Sequence, residues 1–214
     1  MNNYQGTEET VPFNYFSSNL FKCWADNYLD YIKGENLSTL WQTPEKSLGK
    51  ANSSVYDVVS LGEGGRITLT FPKIIYNGKG YDFAVFENSF DGKFLELAFV
   101  EVSSNNIEFV RFDTESLWDR TVDSFGTMDS NKLKGFAGLT KVGYGTCFDL
   151  EELKSKPEVI EGRVDLNNIK YIRIIDIIGD GRNFDSKGNR IYDPYPTEGS
   201  AGFDLDGIGV YNCK

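Results

Sequence analysis

The chain has 214 residues, of which 14% are aromatic, with 22 glycines, only 6 prolines and no histidine. That length supplies one sizeable core, and the composition suits a strand-and-turn protein rather than a helical or disordered one. A formal net charge of −10 argues against recognition of nucleic acid or an anionic membrane surface through bulk electrostatics, and is compatible with cation binding. The missing histidine removes Ser-His-Asp and Cys-His catalysis and every His-ligated zinc or iron site.

Residues 1–15 read as a polar, flexible arm, and 16–214 as a single domain. Met1–Gly6 is polar and no hydrophobic segment follows, so no signal peptide is read, and no apolar run approaches membrane-spanning length. From Phe16 to Tyr31 the apolar positions fit a helical period, with Ser17 or Ser18 as caps; an irregular wrap across a sandwich is the alternative. Trp24, Tyr28, Tyr31 and Trp41 read as core or lid residues rather than a sugar platform. Tyr56–Leu61 and Arg66–Phe71 read as strands joined by Gly62-Glu-Gly-Gly65, hence as a β-hairpin. A phosphate loop is the weaker reading of those glycines, because neither a helix nor Gly-Lys-Ser/Thr follows.

After the Asn77–Gly80 turn come three strands, 81–87, 95–103 and 107–112. The last two are too close in sequence for anything but an antiparallel hairpin. Periodicity weakens between Thr114 and Lys156, as expected of a functional or Ω-type connection, with one helical turn near Phe148–Leu153. The most apolar strand is 170–178, with Ile172, Ile174, Asp176 and Ile178 on one face. A polar loop, Gly179–Pro196, leads to a last strand at 207–212, whose pattern extends back to Phe203. The fold class is therefore all-β: an antiparallel β-sandwich with long irregular loops and at most short helices.

Several of these segments resemble a bacterial family of uncharacterised exported proteins, usually labelled "cell surface protein". They are Ser60-Leu-Gly-Glu-Gly-Gly-Arg-Ile-Thr-Leu69, Gly80-Tyr-Asp-Phe-Ala-Val-Phe-Glu-Asn88, Glu96-Leu-Ala-Phe-Val-Glu-Val-Ser-Ser104, Gly143-Tyr-Gly-Thr146, Tyr192-Asp-Pro-Tyr-Pro-Thr197 and Gly202-Phe-Asp-Leu-Asp206. The resemblance covers roughly residues 24–212. It implies an extracellular or cell-surface location, sorting or anchoring tails in many members, and a function without catalysis. A looser similarity, to galactose-binding-like and discoidin jelly rolls, rests on the Val-Glu-Val-Ser-Ser104 strand and turn and on Tyr171-Ile-Arg-Ile174. It favours a ligand-binding module.

Acidic residues are the one polar set with a plausible site geometry. Asp176 lies on an apolar face and needs a metal, an arginine or several donors; Asp204 and Asp206 point the same way from the last strand, opposite Phe203 and Leu205. Ordinary salt bridges to Arg66 or Arg173 are the plain alternative. The Gly179–Pro196 loop adds Asp180, Asp185 and Asp193, so calcium is the expected ion, held by Asp176, Asp180, Asp185, Asp193, Asp204 and Asp206. Glu87, Asn88, Phe90, Tyr192 and Tyr195 are the expected ligand contacts at the rim, for a glycan or another small molecule. The tyrosines and Phe90 would otherwise pin loops to the sandwich. A polysaccharide hydrolase or lyase working through carboxylates, and a capture protein for a nutrient such as a corrinoid, are the other readings. Cys23, Cys147 and Cys213 form no C-x-x-C pair; three free buried thiols are expected, with a Cys23–Cys213 disulfide as the alternative.

Overall fold

The computed structural model describes residues 13–214. Its strands, in chain order, are β1 (Phe13–Tyr15), β2 (Cys23–Trp24), β3 (Asn27–Ile32), β4 (Val59–Ser60), β5 (Arg66–Ile75), β6 (Phe83–Glu87), β7 (Ala98–Ser103), β8 (Val110–Arg111), β9 (Glu115–Ser116), β10 (Leu133–Lys134), β11 (Tyr144–Phe148), β12 (Ile169–Asp176) and β13 (Asp204–Val210). One sheet runs β1-β11-β6-β13-β2, with β4 also pairing β13; the other runs β3-β5-β12-β7-β8. Every pairing within the two sheets is antiparallel. This is the all-β antiparallel sandwich that the strand patterns predict.

The core forms because inward positions alternate. Phe83 and Val85 from β6 and Leu205, Ile208 and Val210 from β13 meet Ile67 and Leu69 from β5, Val100 and Val102 from β7, and Ile172 and Ile174 from β12. Between Leu205 and Gly207 a register shift interrupts the β13–β6 ladder, so Asp206 is the extra residue there. The irregular stretch after β9 is packed rather than loose. Trp118, Val122, Met128, Leu133, Phe136 and Leu139 form a second core with Leu95, Leu97, Phe99 and Ile177.

The expected hairpin between Tyr56–Leu61 and Arg66–Phe71 does not form. β4 pairs β13 in one sheet, and β5 pairs β3 and β12 in the other. The Gly62–Gly65 turn therefore carries the chain across the sandwich. Local alternation cannot distinguish such a crossing from a hairpin, since both need two amphipathic strands and a tight turn. The helical reading of Phe16–Tyr31 is also corrected, because that stretch contains β2 and most of β3. Of the expected arm, residues 1–12 lie outside the described residues, and 13–15 are the edge strand β1 paired with β11. The 107–112 strand shortens to Val110–Arg111, and the turn at Leu150–Leu153 is a 3-10 helix.

Cys23 on β2 and Cys213 just beyond β13 are joined as a disulfide with Cα atoms 6.7 Å apart, and only Cys147 is a free, buried thiol. The expectation of three free thiols is thus corrected. Closure of a 190-residue separation is worth ~5 kcal/mol on the chain-entropy estimate. We expect the paired Cys23→Ser, Cys213→Ser variant to lose most of that in denaturant unfolding. Thiol alkylation before and after reduction should find one reactive cysteine in the unfolded oxidised chain and all three in the reduced one; three before reduction would refute the bridge.

Candidate functional site

One end of the sandwich gathers the C-terminal ends of β6 and β12 and the N-terminal ends of β5, β7 and β13. Buried carboxylates crowd this pole: Glu63, Glu87, Glu96, Asp176, Asp193, Asp204 and Asp206. Three of them follow from strand parity. Glu87 continues the inward series Phe83, Val85; Asp176 continues Ile172, Ile174; Glu96 precedes inward Ala98 and Val100 by the same two-residue step. The two sheets thus direct acids toward each other where the apolar core ends.

Most of these groups are held by backbone amides. Asp176 accepts from Gly64 N–H at 2.7 Å and from Phe203 N–H at 2.7 Å, tying the β4–β5 crossing and the entry to β13 onto the end of β12. Gly64 has φ +75°, and a Cβ on Gly202 (φ +68°) would lie 2.6 Å from the Asp176 carboxylate, so glycine is required at both positions. Asp193 accepts from Leu97 N–H at 2.9 Å. Glu63 accepts from the Thr197 N–H and hydroxyl at 2.9 and 3.0 Å. Asp206 accepts from the amides of Asn52 and Ser53, and Asp204 from the Ser60 hydroxyl and, at 2.9 Å, the Asn88 side-chain amide.

Glu87 is the clearest exception. It is 1% exposed, and among the described residues neither carboxylate oxygen has a hydrogen-bond partner. The Ser89 and Asn88 amides lie near enough to favour its charge without making a bond of normal geometry. Burial, followed by the charge of Asp204, pushes its carboxyl group well above the usual range. Glu96 is pushed the same way, by burial first and then by Asp204, Glu87, Asp176 and Asp193. Burial raises Asp176 and Asp193 as well, lifts Asp204 to about 7 and lifts Asp206 to about 6.

The arginines expected as plain partners are engaged elsewhere, Arg66 with Asp30 at 3.8 Å and Arg173 with Glu101 at 3.5 Å. The structure draws Asp176, Asp193 and Asp204 into the field around Glu96, whereas Asp180 and Asp185 serve other tasks. Asp180 pairs with Arg182 on the surface, and Asp185 clamps its own loop by accepting from Ser116, Lys187 and Asn189. Among the described residues, no three Asp, Glu, Cys or His side chains stand in an arrangement that holds a metal ion.

Of the expected ligand contacts, Asn88 is buried and bonded to Asp204 and the Val55 carbonyl. Tyr192 packs on the second core, and Tyr195 is half-buried. Phe90 is 67% exposed and stacks on Phe94 at 6.2 Å, which stacks on Phe125 at 6.4 Å; Phe125 is 90% exposed. The loop bearing Phe90 is closely hydrogen-bonded. Ser89 Oγ donates to Phe94 O and accepts from Gly92 N–H, and Asp91 accepts from the Lys93 and Phe94 amides. Met128 N–H donates to Lys93 O at 2.7 Å, tying the Phe125 segment alongside. Sequence reasoning missed Glu96, Phe94 and Phe125. Parity counted back from Ala98 could have found Glu96; no local signal marks the distant Phe125.

The fold and site define an antiparallel β-sandwich with a carboxylate-lined pole and an aromatic row shared by the loop that leaves it and the Phe125 segment beside that loop. No protein-family model matches the chain, and no curated protein matches it.

The carboxyl shifts predict an unusual pH profile. Each raised group holds its proton to higher pH when folded than when unfolded, where aspartate titrates near ~4. From there up to about 6 for Asp206 and about 7 for Asp204, the folded state binds more protons, so stability falls as pH rises. Asp91 and Asp113, held below the usual range, act oppositely and only in more acidic solution. In chelator, Tm should decline between about pH 5 and 8; a Tm that rises across that window would contradict this electrostatic picture.

Proposed function

We propose that this protein is a non-catalytic ligand-binding module of jelly-roll, galactose-binding-like type, acting at the cell surface or outside the cell, with a glycan as its ligand. The single observation that carries the reading is the row Phe90–Phe94–Phe125. Its rings are near-parallel, with interplanar angles of 20° and 27°, and the two outer rings are exposed at 67% and 90%. Large apolar faces held toward water by a hydrogen-bonded loop and the segment tied beside it suit the C–H faces of sugar rings, while Asp91 and Lys93 on that loop suit hydroxyl groups. The surface location rests on the sequence resemblance alone. The carboxylates that a hydrolase or lyase would need, Glu87 and Glu96, are only 1% and 4% exposed. That burial favours binding over turnover, since an acid–base pair must reach the scissile bond.

A glycan array followed by calorimetry on the best hit tests this. Phe90→Ala and Phe125→Ala should each weaken binding about tenfold, equivalent to ~1.4 kcal/mol. Both rings are exposed, so Tm should stay within about a degree of the parent. A chain that binds no glycan, or that binds equally well after both substitutions, would overturn the reading.

A further inference from the structure

We propose that Glu87 and Glu96, with Asp204 beside them, form a calcium site that joins the two sheets at the carboxylate pole. The inference is independent of the glycan reading. It starts from an imbalance of partners. Asp176, Asp193 and Asp204 each have hydrogen-bond donors, yet among the described residues Glu87, 1% exposed, has none in bonding geometry on either oxygen. Among the described residues Glu96, 4% exposed, also has no side-chain hydrogen bond, and no lysine or arginine forms an ion pair with either glutamate. A buried carboxylate without a well-formed hydrogen bond or a counter-charge is costly, and this one lies among others, Asp204 and Asp206.

The counter-charge has to satisfy oxygen atoms from both sheets. Glu87 ends β6 in one sheet, and Glu96 leads into β7 in the other, both on the inward parity. Asn88 spends its amide hydrogens on Val55 O and Asp204, leaving its amide oxygen as a further neutral ligand. An all-oxygen set without histidine or thiolate suits a hard cation. Calcium tolerates irregular spheres of six to eight oxygens, whereas magnesium demands a strict octahedron. As they stand the carboxylates are not drawn together to ligating distance. Among the described residues, Glu87 gives up no hydrogen bond of normal geometry in turning toward a cation. The expected calcium set is thereby revised. Asp180 and Asp185 drop out, Asp176, Asp193 and Asp206 remain bound to backbone amides, and Glu87 and Glu96 take their place.

The test uses the whole chain at about pH 7.5, where calcium competes with protons for these carboxylates. Saturating calcium should raise Tm by about 5–10 °C over chelator, and magnesium by less. Elemental analysis after dialysis should find one calcium per chain. Glu87→Gln and Glu96→Gln should fold, melt in chelator at or above the wild type because each removes a buried acid that is costly to ionise, and lose the calcium response. Asp185→Asn should keep it. Identical wild-type melting in chelator and in millimolar calcium, with no retained ion, would overturn the proposal and leave protons as the counter-charge. A calcium shift that survives both glutamine substitutions would overturn it too. If one glutamine variant does not fold, the other decides the location.

Discussion

Asp176 holds the sandwich together at a point where side-chain packing has run out. Its two carboxylate oxygens receive the amides of Gly64 and Phe203, so one side chain at the end of β12 fixes both the crossing between the sheets and the start of β13. A buried amide needs a partner as much as a buried carboxylate does, and here each answers the other. Asp82 does the same at the opposite end, accepting from Gly78 N–H, Leu150 N–H and the Asn212 side chain. Carboxylates are thus part of the frame at both ends.

That use of aspartate has an electrostatic consequence. A pole closed by acids concentrates negative charge where water is excluded, and every further carboxylate there raises the cost of ionising its neighbours. Glu96 lies under the influence of four of them. The clamps explain why Asp176, Asp193, Asp204 and Asp206 are present. They do not explain Glu87, which clamps nothing, and this contrast separates architecture from a binding role.

The aromatic row is placed by the same frame. β6 ends at Glu87 and the chain must return to begin β7 in the other sheet, so the intervening loop projects from the pole with Phe90 and Phe94 on it. The second core holds the 118–139 segment against the outer face of β7, and so brings Phe125 beside Phe94. The stack therefore needs both cores.

Strand identity along β5, β6, β7 and β12 was legible in the sequence, because alternation of apolar and polar residues is a local property of extended chain. The same rule put Asp176 on the apolar face of β12, paired Asp204 with Asp206 opposite Phe203 and Leu205, and made β7 and β8 antiparallel across a short turn. Pairing partners were not legible. Val59–Ser60 and Arg66–Ile75 are near neighbours in the chain yet belong to different sheets, since the energy of a crossing lies in contacts with β13, β3 and β12. The aromatic residues of the 16–31 stretch fit a helical period as well as two short strands, and only pairing with β13 and β5 decides between them. The Cys23–Cys213 bridge, the company around Glu96 and the Phe94–Phe125 contact likewise join residues far apart in sequence. Local stereochemistry determined which side chains face inward. Long-range packing alone decided which of them meet, because the free energy of each meeting depends on every strand between them.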